Sequence, residues 1–316
     1  MSALPDDLRG GAVAIGNFDG VHRGHARLVQ RLRETARRLE GPAVVLTFDP
    51  SPTTILHAEA SPAQLSWLQR KADLLGSLGV DAVIAYPTDR DLLELSPESF
   101  FQRIVVDWLA ARAMTEGTNF RFGRRRSGDV ERLGRLCRAA GVALEVVEPI
   151  QLAGETVSSS RIRRLIAAGQ VETAARLLIE PYRIRGAVAG GSRRGESLGY
   201  PTANLQGVDT LLPGEGIYAG HAYLDGHAEP AAISVGPNPT FDEDVRKVEA
   251  YLLDFQGDLY GRTVELDFVA RMRDIIQFGS ADELVGQLDR DVRQTREILG
   301  QSVTAGSRRP AHRETP

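Results

Sequence analysis

The ten residues GNFDGVHRGH, at positions 16–25, follow a short apolar run at 12–15 and precede a helical pattern over about 25–39. The apolar residues of that pattern fall on one face, which predicts a helix. A strand, a glycine turn and a helix start in this order bring backbone N–H groups and the positive end of the helix dipole to one point. His22 and His25 add imidazoles that can donate hydrogen bonds to phosphate oxygens. The stretch therefore predicts a phosphate-binding turn.

Two histidines three residues apart also have other interpretations. In isolation they would be surface residues or half of a zinc site, and zinc would require a third ligand at a suitable spacing. No convincing third ligand is present in the sequence. The position of the pair between a strand and a helix favours phosphate.

Outward from this turn, short apolar runs alternate with helical patterns as far as residue 147, which is typical of a parallel sheet flanked by helices. The fold class predicted for this half is therefore α/β and Rossmann-like. The predicted strands are 12–15, 43–48, 82–86, 113–115 and 142–147. The predicted helices are 25–39, 63–75, one that starts at the N-cap Ser96 and Pro97, 129–140, and a helical pair over 160–179 that is interrupted at Gly169.

After Pro181 the pattern changes to short β-rich runs separated by glycine, proline, asparagine and aspartate, which predicts a small antiparallel barrel. The runs are 183–189, 217–224, 231–235, 248–255 and 263–270. A capping box, Ser280-x-x-Glu283, begins a C-terminal helix. We therefore expect domains at 1–181 and 182–300, and a disordered polar tail at 301–316.

Composition restricts the classes of function that the chain can have. The chain has 316 residues, one cysteine, a net charge of −4 and no apolar run of the length that a membrane span needs. An acidic protein with local arginine clusters favours compact anionic ligands over general nucleic-acid binding. We expect a cytoplasmic protein with small-molecule substrates, no nucleic-acid partner and no membrane partner, in which Cys137 packs in the core.

The loops at 116–128 and 157–163 should emerge at the carboxyl ends of the parallel strands, where open sheets bind ligands. The first offers the amide of Asn119 and an arginine between two rings. The second offers hydroxyl groups at a helix start together with two arginines, which suits a phosphate.

RGESLGYPTAN, at 194–204, formally matches G-x-S-x-G, the nucleophile elbow of α/β-hydrolases. That elbow needs a strand before the serine and a helix after it. Here Ser197 follows a polar loop, and Pro201 discourages a helix start. The motif therefore predicts a loop with another purpose.

In combination, GNFDGVHRGH, TFDPSP, NFRFG and SSSRIR resemble the adenylyltransferase module of bacterial bifunctional riboflavin kinase/FMN adenylyltransferases. LGYPTAN, VGPNPTF and VEAYLLDFQGDLYG resemble the riboflavin kinase module of the same family. The resemblance implies that the barrel phosphorylates riboflavin with ATP to give FMN. It also implies that the amino-terminal nucleotidyltransferase domain transfers AMP from a second ATP to give FAD and pyrophosphate.

The resemblance also implies residue roles. It assigns the ATP of the adenylyltransferase to Gly16, Phe18, Asp19, Gly24, His25, Ser158, Ser159, Arg161 and Arg163, with His22, His25 and Asn119 catalytic. Flavin binding falls to Phe48, Asp49, Asn119, Phe120, Arg121, Arg271 and Arg273. The kinase ATP site would comprise Gly195, Leu198, Gly199, Pro201, Thr202 and Asn204, with Mg²⁺ on Thr202 and Asn204 and with Glu249 as general base.

Two alternatives remain at this point. In the first, only the kinase is active and the amino-terminal domain is a degenerate nucleotide binder. Ser51 stands where many relatives have histidine, so we expect weakened rather than abolished adenylylation. In the second, the barrel reads single-stranded RNA, but its strands carry acidic residues beside their tyrosines, which disfavours that function.

Overall fold

A computed structural model describes residues 4–56, 61–190, 198–238 and 243–303. Contacts between residues divide the chain into two compact units. The first comprises the residues up to Ile162 together with Leu177–Ile179. The second comprises Arg163–Arg176 and the residues from Glu180 onward. In the described residues no helix is both long enough and apolar enough to cross a membrane.

The first unit is built on a five-stranded parallel sheet in the order β3-β2-β1-β4-β5, which confirms the predicted α/β architecture. The strands are β1 (Ala12–Ile15), β2 (Ala43–Asp49), β3 (Ala82–Pro87), β4 (Ala113–Gly117) and β5 (Ala143–Val147). The helices are α1 (Arg23–Leu39), α2 (Pro52–Leu56), α3 (Leu68–Ser77), α4 (Arg90–Glu94), α5 (Pro97–Phe100) and α6 (Val130–Ala140). Cys137 on α6 is buried, so its predicted core position is confirmed.

Two helices differ from their predicted form. α3 starts at Leu68 instead of residue 63, because the carboxylate of Asp19 accepts the N–H groups of Leu65 and Ser66, which holds this backbone outside a helix. α5 is capped by Ser96 as predicted, but it widens into a π-helical segment over Phe101–Trp108. α2, α4 and the hairpin of β6 (Gln151–Leu152) and β7 (Glu155–Thr156) were not predicted.

The sheet opens between β1 and β4, where the chain order reverses. These strands pair only at Ala12 and Val13. Further along, the buried carboxyl group of Glu116 accepts the N–H of Ile15 at 2.7 Å in place of a strand partner. Open α/β sheets bind ligands at such a switch point, outside the carboxyl ends of the strands.

In the second unit, six antiparallel strands close into a barrel, because β10 pairs with both β11 and β13. The strands are β8 (Tyr182–Ala189), β9 (Ala203–Gln206), β10 (Gly216–Leu224), β11 (His227–Asn238), β12 (Glu243–Leu252), β13 (Thr263–Phe268) and the additional β14 (Ala270–Arg273). For β9 the sequence pattern predicts only a loop. Pairing with β8 and β12 makes it a strand.

The described residues also include the helices α7 (Ser159–Ala167), α8 (Val171–Leu177) and α9 (Ala281–Val303). The predicted break at Gly169 is confirmed. Its φ of 72° favours glycine, and a Cβ there would lie 2.8 Å from the hydroxyl oxygen of Tyr218. At the start of α9, the Ser280 hydroxyl group accepts the N–H of Glu283, as the capping box predicts. The return hydrogen bond differs from that of a capping box, because the Glu283 carboxylate accepts the N–H of Gly279.

Candidate active sites

The two histidines of the first turn cap α1 and hold each other in place. The N–H of His25 donates to Nδ1 of His22, and the N–H of His22 donates to Nδ1 of His25, each at 3.3 Å. Their rings stack with centroids 3.7 Å apart. Because each Nδ1 accepts a backbone proton, a neutral ring carries its own proton on Nε2. The pair therefore presents two Nε2–H donors.

Burial keeps both imidazoles neutral. It lowers the pKa of His22 from 6.5 to about 4. The pKa of His25 is lowered well below its ordinary value, first by burial and then by electrostatic repulsion, which would act between two protonated rings and also comes from Lys71. At neutral pH the histidines can donate hydrogen bonds to phosphate, but they contribute no positive charge.

The other residues of the turn support this pair. Phe18 is buried with a left-handed φ of 46°, and its ring centroid lies 5.1 Å from that of His25. A Cβ on Gly24 would lie 3.1 Å from the His22 ring, so glycine leaves room for the imidazole. A Cβ on Gly16 would lie 3.2 Å from the ring of Phe18.

Asp19, which is among the residues predicted to bind ATP, ties the turn to the segment before α3. Its carboxylate accepts hydrogen bonds from the N–H groups of Leu65 and Ser66 and from the Ser66 hydroxyl group, at 3.0–3.3 Å. Its backbone oxygen accepts a hydrogen bond from the Ser159 hydroxyl group at 2.8 Å. Asp19 and Ser159 thus join the turn to two distant segments.

The serine–arginine motif has divided roles. Ser158 accepts the N–H of Arg161 at 3.3 Å. The Arg161 guanidinium donates to the backbone oxygens of Leu152 and Glu155 and pairs with the Glu155 carboxylate, so it braces the 151–156 hairpin. Arg163 is the first residue that contacts assign to the second unit.

The predicted flavin residues of the first unit emerge at one edge of its sheet. Phe48 and Asp49 end β2, and Asn119 comes two residues after β4. Asn119 and Arg121 are exposed, and the Arg121 guanidinium donates to the backbone oxygen of Phe120 at 2.9 Å. Because the strands are parallel, both segments leave the sheet at the end that carries the histidine turn.

A buried lysine at this edge was missed by sequence reasoning. Lys71 on α3 is 5% exposed, and its Nζ donates to the hydroxyl oxygen of Thr47, on β2, at 3.3 Å. The Thr47 hydroxyl group in turn donates to the backbone oxygen of Asn17. The available signal was the helical pattern over 63–75, which indicated a packing helix and no site.

In the barrel, the predicted kinase residues meet across two strands. Asn204 on β9 pairs directly with Glu249 on β12, and Glu249 pairs with Ser234 on β11. Side chains directly opposite on antiparallel strands share a face, with Cβ atoms about 5 Å apart. Thr202 comes just before β9, two residues from Asn204. The register therefore brings an amide and a carboxylate together from positions 45 residues apart in the sequence.

A pocket of about 420 Å³ lies beside Asn204. Asn204 lines it together with Leu205, Arg246 and Lys247. An amide oxygen and two cationic side chains at one pocket suit a phosphate-bearing ligand.

The LGYPTAN segment that leads to Asn204 is described from Leu198 onward, with Gly199 at a φ of 86° and Pro201 exposed. Gly195 and Ser197 lie outside the described residues. Tyr200 fixes the segment. Its hydroxyl group donates to Asp289 on α9, which raises its pKa to about 12, and its ring makes an edge contact with Tyr251 at 5.3 Å between centroids.

Arg271 and Arg273, predicted to bind flavin, are engaged within the second unit. Arg273 forms a bidentate pair with the buried carboxylate of Asp291 on α9, at 2.6–3.2 Å. Arg271 pairs with Asp274 and donates to the backbone oxygen of Glu215. These contacts attach β14 to its neighbours.

Comparison with known proteins bears on both units. A sequence model of FAD synthetase matches residues 4–161, and one of riboflavin kinase matches residues 178–299. The bifunctional riboflavin kinase/FMN adenylyltransferase of Pseudomonas fluorescens is 37% identical over 95% of this chain and 96% of its own. The corresponding protein of Escherichia coli is 33% identical over the same shares.

A solved structure is similar over most of the chain. The crystal structure of a macrolide-efflux protein from Streptococcus pneumoniae superposes with a TM-score of 0.80 at 30% identity, and the match covers 91% of this chain and 94% of that one. The matches to both family models, their coverage of the chain and the two-unit fold all indicate the same family. The chain is a transferase that belongs to the family of bifunctional riboflavin kinase/FMN adenylyltransferases.

Proposed function

We propose that each unit carries one step of FAD synthesis, with the residues that its own geometry brings together. The barrel phosphorylates riboflavin to FMN, and the parallel-sheet unit adenylylates FMN. The observation that carries this division is that the two sets of polar groups belong to separate units: the stacked histidines in the first, and the Asn204–Glu249 pair in the second.

In the adenylylation step, a phosphate oxygen of FMN attacks the α-phosphorus of ATP, and the bond to the β-phosphate breaks to release pyrophosphate. The Nε2–H groups of His22 and His25 donate to the phosphate oxygens as charge develops on them. The turn is held in advance by the Asp19 hydrogen bonds, so little reorganisation accompanies the reaction. Asn119 supplies an amide from the other side of the β1/β4 opening.

In the kinase step, Glu249 accepts the proton of the ribityl 5′-hydroxyl group while the oxygen attacks the γ-phosphorus of ATP. The bond from that phosphorus to the β–γ bridging oxygen breaks, and ADP leaves with its electron pair. Glu249 is half-buried and lies directly opposite Asn204. The pocket beside Asn204, with Arg246 and Lys247, accommodates the phosphates.

Mg²⁺ fits the kinase site by the chemistry of its donors. The Thr202 hydroxyl and the Asn204 amide supply neutral oxygens, which suit an ion that keeps several waters and is also held by ATP phosphates. When bound, the ion would neutralise phosphate charge. In the described residues no cluster of three or more histidine, cysteine, aspartate or glutamate side chains forms a metal cage.

The direct experiment incubates the purified protein with riboflavin, ATP and Mg²⁺ and resolves FMN and FAD over time. We expect FMN to appear first and FAD to follow. FMN that accumulates without FAD would instead support the kinase-only alternative. The absence of both products would reject the proposed function.

A further inference from the structure

Lysine is rare in this chain. Of its 38 lysines and arginines, only Lys71 and Lys247 are lysines. Arginine therefore serves at almost every basic position. Lysine differs from it in having a compact ammonium group that fits a small buried site. Lys71 is buried at the sheet edge beside the histidine turn, and Lys247 lines the barrel pocket.

Lys71 is a buried cation with little compensation. Within the described residues its ammonium group makes one side-chain hydrogen bond, to the neutral hydroxyl oxygen of Thr47 at 3.3 Å. No carboxylate among those residues forms an ion pair with it at 4.0 Å or less. Two of its three N–H donors therefore remain for another acceptor. A buried charge with so few partners is unfavourable unless a ligand completes the site.

The nearby carboxylates offset only part of the unfavourable effect of burial on the Lys71 ammonium group. Asp19 and Asp49 act on Lys71 from a distance, and the Asp19 carboxylate is already hydrogen-bonded to the backbone of Leu65 and Ser66. Burial outweighs both acids and lowers the pKa of Lys71. The ammonium group is therefore less stable in the fold than in water.

The position of the Lys71 ammonium group beside the histidines indicates which kind of ligand it binds. The charge of Lys71 lowers the pKa of His25, so the two side chains are close enough to interact. Both histidines donate hydrogen bonds as neutral rings. A triphosphate carries several negative charges, which neutral donors cannot offset. A buried ammonium group can offset part of this negative charge.

We propose that Lys71 is a catalytic residue of the adenylylation step whose ammonium group binds phosphate oxygens. The inference rests on the proposed function of the first unit. Lys71 remains protonated throughout: it donates hydrogen bonds while the new phosphorus–oxygen bond forms and the electron pair of the broken bond leaves with pyrophosphate. The ligand is a phosphate group of ATP or of FMN, and these share the same oxygen chemistry.

The test compares the wild type with Lys71→Met, which preserves much of the side-chain volume without the charge. A matched control, Gln69→Met, places the same residue on the exposed side of α3. For each protein we would measure FMN formation from riboflavin, FAD formation from supplied FMN, the KM for ATP and for FMN, inhibition by inorganic pyrophosphate, and urea unfolding by tryptophan fluorescence.

We expect Lys71→Met to lower kcat/KM for FAD formation about 10²- to 10³-fold, as loss of one electrostatic donor does. FMN formation should stay within twofold of wild type. Pyrophosphate inhibition weakened tenfold, with a raised KM for ATP, would identify the triphosphate as the ligand. A raised KM for FMN with unchanged pyrophosphate inhibition would identify the FMN phosphate.

A measurement of stability distinguishes this catalytic role of Lys71 from a structural role. Removal of a poorly compensated buried charge should leave the first unit as stable as wild type or more stable. A Lys71→Met protein that is destabilised or unfolded would overturn the proposal, and so would one with wild-type FAD formation. If the wild type itself makes no FAD from FMN, the proposed function fails instead.

Discussion

Replacement of His22 by asparagine should remove a pH dependence of stability and keep the helix cap. In the folded protein the pKa of His22 is lowered to about 4 by burial, against 6.5 for an exposed histidine. The unfolded chain therefore binds an additional proton as the pH falls below about 6.5. The stability that comes from the neutral ring is complete above that pH and decreases as the pH falls toward 4.

The magnitude follows from these two values. Between pH 8 and pH 5 the linkage amounts to about 2 kcal/mol, at about 1.36 kcal/mol per pKa unit. His22 is only 6% exposed, so solvent screens this effect little. Asparagine does not titrate, and its side-chain oxygen is a favoured acceptor at an N-cap. Between pH 8 and pH 5, the free energy of unfolding of His22→Asn should therefore fall by about 2 kcal/mol less than that of the wild type.

Both tryptophans, Trp67 and Trp108, belong to the first unit, so tryptophan fluorescence follows the unfolding of that unit in urea. With an m-value of about 2 kcal/mol/M, the wild-type midpoint should drop about 1 M more than the variant midpoint between pH 8 and pH 5. At pH 8 the two proteins should differ by less than about 1 kcal/mol. Equal pH-dependent shifts in both would refute the buried neutral state of His22.

Three further variants test other contacts. Gly24→Ala should displace the His22 ring and lower kcat/KM for FAD formation at least about tenfold, with FMN formation unchanged; unaltered FAD formation would show that the ring position does not matter. Arg273→Ala leaves the buried carboxylate of Asp291 without its ion-pair partner and, among the described residues, with only the Gln287 amide as a side-chain donor, so calorimetry should show the second unit destabilised by about 3 kcal/mol, and a loss below about 1 kcal/mol would contradict the structure. Tyr200→Phe removes the hydrogen bond to α9 and should raise the kinase KM for ATP about fivefold, whereas an unchanged KM would mean that the segment is held by other contacts.

Local sequence patterns predicted much of the fold. The five parallel strands, the helix after the glycine turn and the break at Gly169 all follow from short-range periodicity and turn chemistry. The position of His22 and His25 at a helix start was predicted for the same reason. Their reciprocal capping was not, because it depends on side-chain conformations that a spacing of three residues permits but does not require.

Long-range contacts account for what was missed. The Asp19 carboxylate accepts the backbone N–H of Leu65, 46 residues away, and this contact delays the start of α3. Lys71 lies on a helix whose pattern indicated only packing, and it reaches the site through the tertiary fold. β9 has only four residues, and pairing with two distant strands defines it. None of these contacts leaves a local signal.

The central claim is that two independent sites act in sequence, and it is tested most directly by mixing two single-site variants. Glu249→Gln should convert supplied FMN to FAD but form no FMN from riboflavin. His25→Ala should form FMN from riboflavin but no FAD. Given riboflavin, ATP and Mg²⁺, an equimolar mixture should produce FAD that neither variant produces alone. A mixture of well-folded variants that yields FMN but no FAD, or a single variant that loses both activities, would contradict the account.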